Sequence, residues 1–194
     1  LQQSSFDEIS SVIDEALRLG SDNNHGYEWI KDFEERFQIK ARNPISTGWS
    51  EIDRICEKGL GKGELGVVIA PTGVGKSMVL THLGAAAIKN GKNVVHYTLE
   101  LMDTVIASRY DSCVTGIELN DLMDKKDEIY ENIKEINGKL IVKEYPAKRA
   151  SVKTLKKHLE KIAKKGNDID MIIVDYADLL RPTSSYKEKR TELE

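Results

Sequence analysis

The 194-residue sequence has few of the features that mark secreted, membrane or metal-binding proteins. It contains only two cysteines, Cys56 and Cys113, which stand apart without the spacing of a metal site, so we expect reduced thiols. No apolar run approaches the roughly 18 residues that a membrane span requires, and no secretory signal opens the sequence. We therefore expect a cytoplasmic protein that does not contact a membrane.

An excess of charge of one sign is also lacking. The sequence has 29 Lys and Arg residues against 32 Asp and Glu residues, a net charge of −3. This near balance argues against a protein that coats nucleic acid, although it allows a local basic surface. The lysine-rich stretch from Lys143 to Lys165 lacks regular aromatic interleaving, so we interpret it as the solvated face of a helix. The histidines at 82, 96 and 158 lack metal-ligand spacing and are interpreted as structural or exposed.

What the sequence does contain is a pattern typical of a phosphate-binding loop. An apolar, β-branched run ends at Ala70, a glycine-bearing loop follows, and an apolar helical segment begins near Lys76. This is the strand, loop and helix context of a Walker A motif. Ala70 replaces the first glycine of the strict pattern, and without this context Gly-Lys-Ser would indicate only an ordinary turn.

Each residue type in the loop has a chemical role in binding phosphate or Mg²⁺. Gly73 and Gly75 let consecutive backbone N–H groups point at a β-phosphate, and the helix start adds partial positive charge. Lys76 is predicted to reach the β- and γ-phosphates of ATP, and Ser77 to present its hydroxyl to Mg²⁺. The predicted nucleotide-binding residues are Pro71, Thr72, Gly73, Val74, Gly75, Lys76, Ser77 and Met78.

Strands and helices alternate through the main part of the sequence, which predicts an α/β fold with a mostly parallel sheet flanked by helices. In the helix predicted over 151–165, four apolar side chains should be buried: Val152, Leu155, Leu159 and Ile162. The predicted strands span 65–70, 93–99, 139–143 and 170–174, and the predicted helices span 49–56, 76–89, 103–113, 119–136 and 151–165.

The region before this alternation is predicted to be a helical arm. Residues 1–20 contain an amphipathic helix from Ser5 to Leu19, and residues 21–44 contain a polar linker and a short amphipathic segment. The main domain is predicted over 45–194, after the break at Asn43-Pro44. Short helices cannot form a core of their own, so their apolar faces either pack on this domain or dock on a neighbouring subunit. The second segment's apolar face comprises Trp29, Ile30, Phe33 and Phe37.

Two acidic residues follow predicted strands, at the edge where parallel sheets bind ligands. Asp175 follows a Walker B-like apolar run and is predicted to hold Mg²⁺; the alternative is an acidic cap of the strand. Tyr176 occupies the position where many motor ATPases carry a catalytic glutamate. The base that orients the attacking water should then come from the neighbouring strand, which ends at Glu100. The alternative is that Glu100 merely begins the next helix.

Together these motifs resemble the RecA-like domains of the DnaB, KaiC and RadA group. The loop at 70–77 is similar to the DnaB-type loop, and the segments at 97–102 and 172–176 resemble that family's glutamate-bearing strand and Walker B strand. The segments at 46–53, 59–60 and 63–65 resemble the beginning of such domains. The likeness is greatest to replicative helicases of T-even-like phages, includes 138–146, and covers Ile45 to Leu180.

The resemblance implies a RecA-like P-loop NTPase core and a hexameric ring that moves 5′ to 3′ on single-stranded DNA, using ATP and Mg²⁺. Arg109 stands where DnaB-type helicases also carry an arginine, and the Ser5 to Leu19 helix would dock on the adjacent subunit. DNA would be contacted by loops beyond residue 194, so we expect a motor-domain fragment.

The resemblance also implies possible primase and loader partners, and the bacterial host cytoplasm if the protein is viral. Three alternatives stay open: a KaiC- or RadA-like ATPase in recombination or regulation, a small-molecule P-loop kinase, and a nucleotide-binding assembly module without turnover.

Overall fold

A computed structural model describes residues 28–31, 33–34 and 42–182 of the chain. The chain divides into two compact units, residues 1–41 and 42–194. In the first unit Trp29, Ile30 and Phe33 lie in turns with exposed side chains. The predicted Ser5 to Leu19 helix, Phe37 and the end of the chain lie outside the described residues. Within the described ranges, no helix is long and apolar enough to cross a membrane.

The second unit is built on three parallel strands, β1 (Val94–Thr98), β2 (Leu140–Glu144) and β3 (Met171–Asp175), in the order β2-β1-β3. Every residue of β1 is buried, as expected for a central strand. Thr98 pairs with Glu144 on one side and with Asp175 on the other, so the carboxyl ends of the three strands are level. The predicted parallel sheet is confirmed.

Helices cover both faces of this sheet. They are α1 (Ser50–Ile55), α2 (Lys76–Lys89), α3 (Asp103–Thr115), α4 (Lys126–Lys134) and α5 (Val152–Lys164), with 3₁₀ turns at Leu119–Asp121 and Ala177–Leu179. On one face α2 and α3 enclose a core with β1 and β3, which includes Ile88, Ile106 and Ile173. On the other face α5 packs its Leu155 and Ile162 against β1.

The predicted strand at 65–70 is not a regular strand in this structure. Its segment carries no regular secondary structure, and the side chains of Leu65, Val67 and Ile69 are 86%, 68% and 90% exposed. A strand requires a hydrogen-bonded neighbour, and none of the three described strands pairs with this segment. The apolar, β-branched pattern predicts a strand, but strand pairing depends on residues distant in the sequence.

Two further expectations are corrected. The single helix predicted over 119–136 is a 3₁₀ turn followed by α4, with turns between them, because the intervening charged residues provide no continuous apolar stripe. Val152, expected to be buried, is 61% exposed because it is the first residue of α5, whereas Leu155 and Ile162 are buried and Leu159 is half-buried. The lysines of α5 are exposed, as predicted.

The beginning of the second unit is held by the carboxylate of Asp53 in α1. It accepts hydrogen bonds from the hydroxyl of Ser46 at 2.5 Å, and from the amide and hydroxyl of Thr47 at 2.8 and 2.7 Å. These bonds lower the pKa of Asp53. The Trp49 ring stacks on His82 of α2, with centroids 3.9 Å apart, so this segment is joined to the helix that follows the phosphate loop.

A salt bridge joins Arg42 to Glu64, just before the apolar run at 65–70. The guanidinium donates two parallel hydrogen bonds to the carboxylate, at 2.7 and 2.6 Å. The Gly61 amide donates a third, at 2.9 Å. Arg42 also donates to three backbone carbonyls of the intervening loop: Cys56, Glu57 and Gly59. The chain on both sides of α1 is thus tied together by one arginine.

The Arg42–Glu64 salt bridge predicts a pH dependence of stability. The Arg42 hydrogen bonds, followed by the Gly61 amide, lower the pKa of Glu64 from 4.5 to about 2. A lowered folded-state pKa stabilises the fold above pH 4.5, and this contribution is lost as pH falls toward about 2. We expect the melting temperature of the wild type to exceed that of Glu64→Gln near neutral pH, with the difference shrinking over this interval.

Thermal melting of the two proteins from pH 7 to pH 2 measures this difference directly. Glu51→Gln is the control, because Glu51 forms an exposed ion pair with Arg54 that should contribute little. A Glu64→Gln difference that stays constant from neutral pH to pH 2 would show that the carboxylate charge is not what stabilises the loop.

Candidate nucleotide-binding site

The phosphate loop precedes α2 as the sequence predicts. Gly73 and Gly75 have φ values of 81° and 106°, in the left-handed region that favours glycine. Gly75 is the N-cap of α2 and provides no side-chain cap, so hydrogen-bond donors of the first turn stay available for a ligand. A helix N-terminus preceded by such a loop is suited to bind phosphate.

The Lys76 side chain lies back along its own loop. Its ammonium donates hydrogen bonds to the carbonyls of Ala70 at 2.9 Å and Pro71 at 3.3 Å. It also stands over the Tyr176 ring, 5.9 Å from the ring centroid. Because Tyr176 directly follows Asp175, the structure brings the phosphate loop and the end of β3 together.

Asp175 is the last residue of β3, and its side chain is only 1% exposed. Neither of its carboxylate oxygens has a hydrogen-bond partner among the described residues. A buried carboxylate without partners is costly, and coordination of a metal ion is one of the few ways to offset this cost. The environment of Asp175 therefore fits the predicted Mg²⁺ role.

Glu100 lies in a turn directly after β1. The hydroxyl of Thr98 donates to the carbonyl of Leu101 at 2.7 Å and accepts from its amide at 3.2 Å, which closes this turn. Leu99 is buried, and its amide donates to the carbonyl of Asp175 at 2.8 Å. Glu100 itself is exposed. The structure therefore places Glu100 at the same sheet edge as Asp175, with its side chain accessible to a ligand.

The other predicted site residues lie in the phosphate loop, at the start of α2 and in α3. Ser77 is half-buried in the first turn of α2, and its backbone carbonyl accepts a hydrogen bond from the Thr81 hydroxyl. Arg109 is half-buried in α3 and makes no hydrogen bond or ion pair with any residue that the structure describes. The remaining loop residues are exposed: Pro71, Thr72, Val74 and Met78.

Sequence reasoning missed several residues at this edge. Glu144, at the end of β2, accepts a hydrogen bond from the amide of Asp103 at the start of α3. His96 and Tyr110 form a buried pair behind Asp175, joined at 2.9 Å. The only available signal for the pair was a histidine within an otherwise apolar strand, which does not reveal its partner.

The described part of the chain offers no group of three or more His, Cys, Asp or Glu side chains that could hold a metal ion alone. An ion bound through one hydroxyl, one carboxylate and nucleotide phosphates requires no such group. A cavity of about 400 Å³ lies at the opposite edge of the sheet, where β1 and β2 begin, and is not part of the phosphate-loop site.

Residues 44–194 match the family described as the DnaB-like helicase C terminal domain. The chain belongs to this family. ATPase domains of DnaB-like helicases act on a nucleotide together with Mg²⁺, and the phosphate loop and the buried Asp175 fit these ligands.

Curated relatives support the same assignment. The chain is 30% identical over 185 residues to the DnaB-like replicative helicase of Enterobacteria phage T4, covering 89% of this chain and 39% of the relative. It is 23% identical over 193 residues to the replicative DNA helicase DnaB of Helicobacter pylori strain 26695, covering 97% of this chain and 37% of that protein. The chain thus spans about two-fifths of the length of these relatives.

Solved structures show the same fold. A DnaB-like replicative helicase, whose structure was described with its interactions with primase, superposes with a TM-score of 0.70 at 14% identity, over 99% of this chain and 48% of that one. A second solved structure, described as an ATPase domain, superposes with a TM-score of 0.65 at 16% identity, over 93% of this chain and 62% of that one. The predicted RecA-like core is therefore confirmed.

Proposed function

We propose that this chain is the ATP-hydrolysing motor of a hexameric replicative DNA helicase that translocates on single-stranded DNA and unwinds the duplex. The observation that carries the proposal is the meeting of the phosphate loop with two strand ends. Lys76 stands over Tyr176, next to the buried Asp175, and the register of β1 and β3 brings the Glu100 turn to the same edge. Family membership supports the assignment of this edge to ATP.

The binding roles follow from the chemistry of each group. The amides of the loop and of the first turn of α2 would hold the β-phosphate, and Lys76 would exchange its two carbonyl partners for phosphate oxygens. The Ser77 hydroxyl and the Asp175 carboxylate would hold Mg²⁺. When bound, this ion neutralises charge on the β- and γ-phosphates. Burial strengthens the effect of the Asp175 charge because water does not screen it.

Glu100 would orient and polarise the attacking water. Its turn is fixed on both sides, by the buried Leu99 and by the Thr98–Leu101 hydrogen bonds, while its carboxylate is exposed at the ligand-binding edge. A fixed backbone with an accessible carboxylate is suited to in-line activation of water. Arg109 has no partner among the described residues with which to form a hydrogen bond or ion pair, so it is a candidate for contacting nucleotide.

The proposed assembly and its partners are those that the resemblance to DnaB-type helicases implies. We infer a homo-hexamer in which ATP is bound between subunits and which contacts single-stranded DNA. The structural neighbour described with primase supports primase as a partner of the full protein. A loader protein is a further inferred partner.

Steady-state ATP hydrolysis by the full-length protein, measured with and without single-stranded DNA, tests the proposal. We expect stimulation by DNA and a nucleotide-dependent hexamer on sizing. Phosphate transfer to a metabolite would instead favour a small-molecule kinase. Hydrolysis that DNA does not affect, in a protein that stays monomeric with every nucleotide, would overturn the helicase assignment.

A further inference from the structure

Behind the candidate metal carboxylate lies a buried histidine that the proposed mechanism does not yet use. His96 is in the middle of β1 with its side chain 0% exposed. Its Nδ1 lies 2.9 Å from the Tyr110 hydroxyl, whereas its Nε2 has no partner among the described residues. A buried ring nitrogen left unpaired beside a functional site calls for an explanation.

The same region contains the matching unpaired acceptor. His96 pairs in register with Ile173, so Asp175 lies two residues further along β3 on the same face of the sheet. Diagonal neighbours on one face of adjacent strands lie about 7–8 Å apart, so the two side chains are within reach of one another. One unpaired ring nitrogen and two unpaired carboxylate oxygens thus occupy one buried region.

The surroundings of the ring favour one of its two tautomers. The Tyr110 hydroxyl can donate to Nδ1 or accept from it, so this contact fits both tautomers. The negative charge of Asp175 favours an N–H group over a bare lone pair at Nε2, and the Tyr110 hydroxyl then donates to Nδ1. Burial also lowers the pKa of His96 to about 4, which keeps the ring neutral near pH 7.

The position of Tyr110 depends on α2, the helix that begins at the phosphate loop. A Cβ atom added to Gly84 would lie 2.0 Å from the Tyr110 hydroxyl oxygen, so only glycine leaves room for this group. Tyr110 comes from α3, which packs against α2 and β2, while Asp175 is on β3 at the opposite side of β1. The His96 ring lies between these two sides.

We propose that His96 is a positioning residue for the metal site: with its Nδ1 accepting from Tyr110, its Nε2–H group orients the Asp175 carboxylate toward Mg²⁺ through one water. The proposal rests on the Mg²⁺ role of Asp175 in the proposed function. Groups that orient a metal-binding carboxylate typically change metal affinity by about 10- to 100-fold.

Two measurements test the proposal on the full chain. In ¹⁵N NMR of the imidazole we expect His96 to be the Nε2–H tautomer, and Tyr110→Phe, which removes the hydrogen-bond partner of Nδ1, to weaken this preference. In EPR titrations with Mn²⁺ and ADP we expect His96→Leu to weaken Mn²⁺ binding about tenfold. His96→Gln, which retains an N–H donor near the Nε2 position, should stay within about threefold of the wild type.

The opposite face of the sheet provides a matched control. There Tyr97 of β1 and His158 of α5 form a pair of the same kind, joined at 2.9 Å. His158→Leu should leave Mn²⁺ binding unchanged. Thermal melting in metal-free buffer checks that each variant folds, and if His96→Leu does not fold, Tyr110→Phe and the tautomer measurement decide.

Asp175→Asn distinguishes the metal-binding role of Asp175 from the positioning role of His96. If Asp175→Asn retains Mn²⁺ binding, the proposed metal role itself is wrong. If Asp175→Asn loses binding while His96→Leu and Tyr110→Phe retain it, only the positioning role of His96 is overturned. An Nδ1–H tautomer in the wild type would also overturn that role.

Discussion

Replacing Lys76 by alanine should lower ATP hydrolysis by roughly 100- to 1000-fold, the effect typical of losing one preorganised cationic or hydrogen-bonding group at a reacting phosphate. Among the residues that the structure describes, the Lys76 ammonium donates hydrogen bonds only to two carbonyls of its own loop, and it faces the Tyr176 ring. Its removal should therefore change the free energy of unfolding by less than about 1 kcal/mol. Phosphate release and thermal melting, measured on the same preparation of the full-length protein, check both parts.

Lys89→Ala is the matched control for this prediction. Lys89 is the last residue of the same helix, α2, and at 1.5 Å per residue it lies about 20 Å from Lys76. Its removal takes away one positive charge from the same helix but should leave hydrolysis within about twofold of the wild type. Equal losses in the two variants would mean that the charge of the helix, rather than the contact of Lys76 with phosphate, matters.

Replacing Glu100 by glutamine should leave ATP binding nearly unchanged but reduce turnover by roughly 10²- to 10⁴-fold. Glutamine has the same shape but cannot accept a proton from the attacking water. Because the turn is closed by Thr98 and Leu101 rather than by the Glu100 side chain, the backbone should be preserved. Binding of a fluorescent ATP analogue, together with single-turnover hydrolysis in the full-length assembly, separates these two quantities.

Glu144→Gln provides the comparison within the same edge of the sheet. Glu144 ends β2 as Glu100 follows β1, but its carboxylate accepts a hydrogen bond from the amide of Asp103, which a glutamine oxygen can also accept. We expect Glu144→Gln to keep hydrolysis within a few-fold of the wild type. If Glu144→Gln loses turnover and Glu100→Gln does not, the water-activating role belongs to β2.

The parts of the fold predicted most accurately are those set by neighbouring residues. Helix α2 spans the predicted residues 76–89, because the glycines of the loop precede it and Asn90-Gly91 ends it. The strands that became β1, β2 and β3 were placed to within a residue or so, because short apolar runs bounded by polar residues have few other conformations. The same reasoning gave wrong predictions for two segments. Residues 65–70 form no strand because they do not pair with any described strand, and residues 119–136 form no single helix because they lack a continuous apolar stripe.

Some residues of the candidate site could also be identified from the sequence, whereas others could not. The phosphate loop, Glu100 and Asp175 could be selected from the sequence, because each follows a strand and the ends of parallel strands share an edge. Their chemical roles stay predictions. The pair of His96 and Tyr110 could not be selected, since 14 residues separate them and their contact depends on the space that Gly84 leaves.

By itself the sequence determined the α/β class, the position of the phosphate loop and the acidic residues at the strand ends, since these depend on residue type and local spacing. Only the tertiary structure decided the strand order β2-β1-β3, the burial of Asp175 and the placement of Lys76 beside Tyr176. It also decided that the run at 65–70 does not pair with the described strands. The physical reason is that hydrogen-bonded pairing and burial join residues far apart in the chain, which local patterns do not specify.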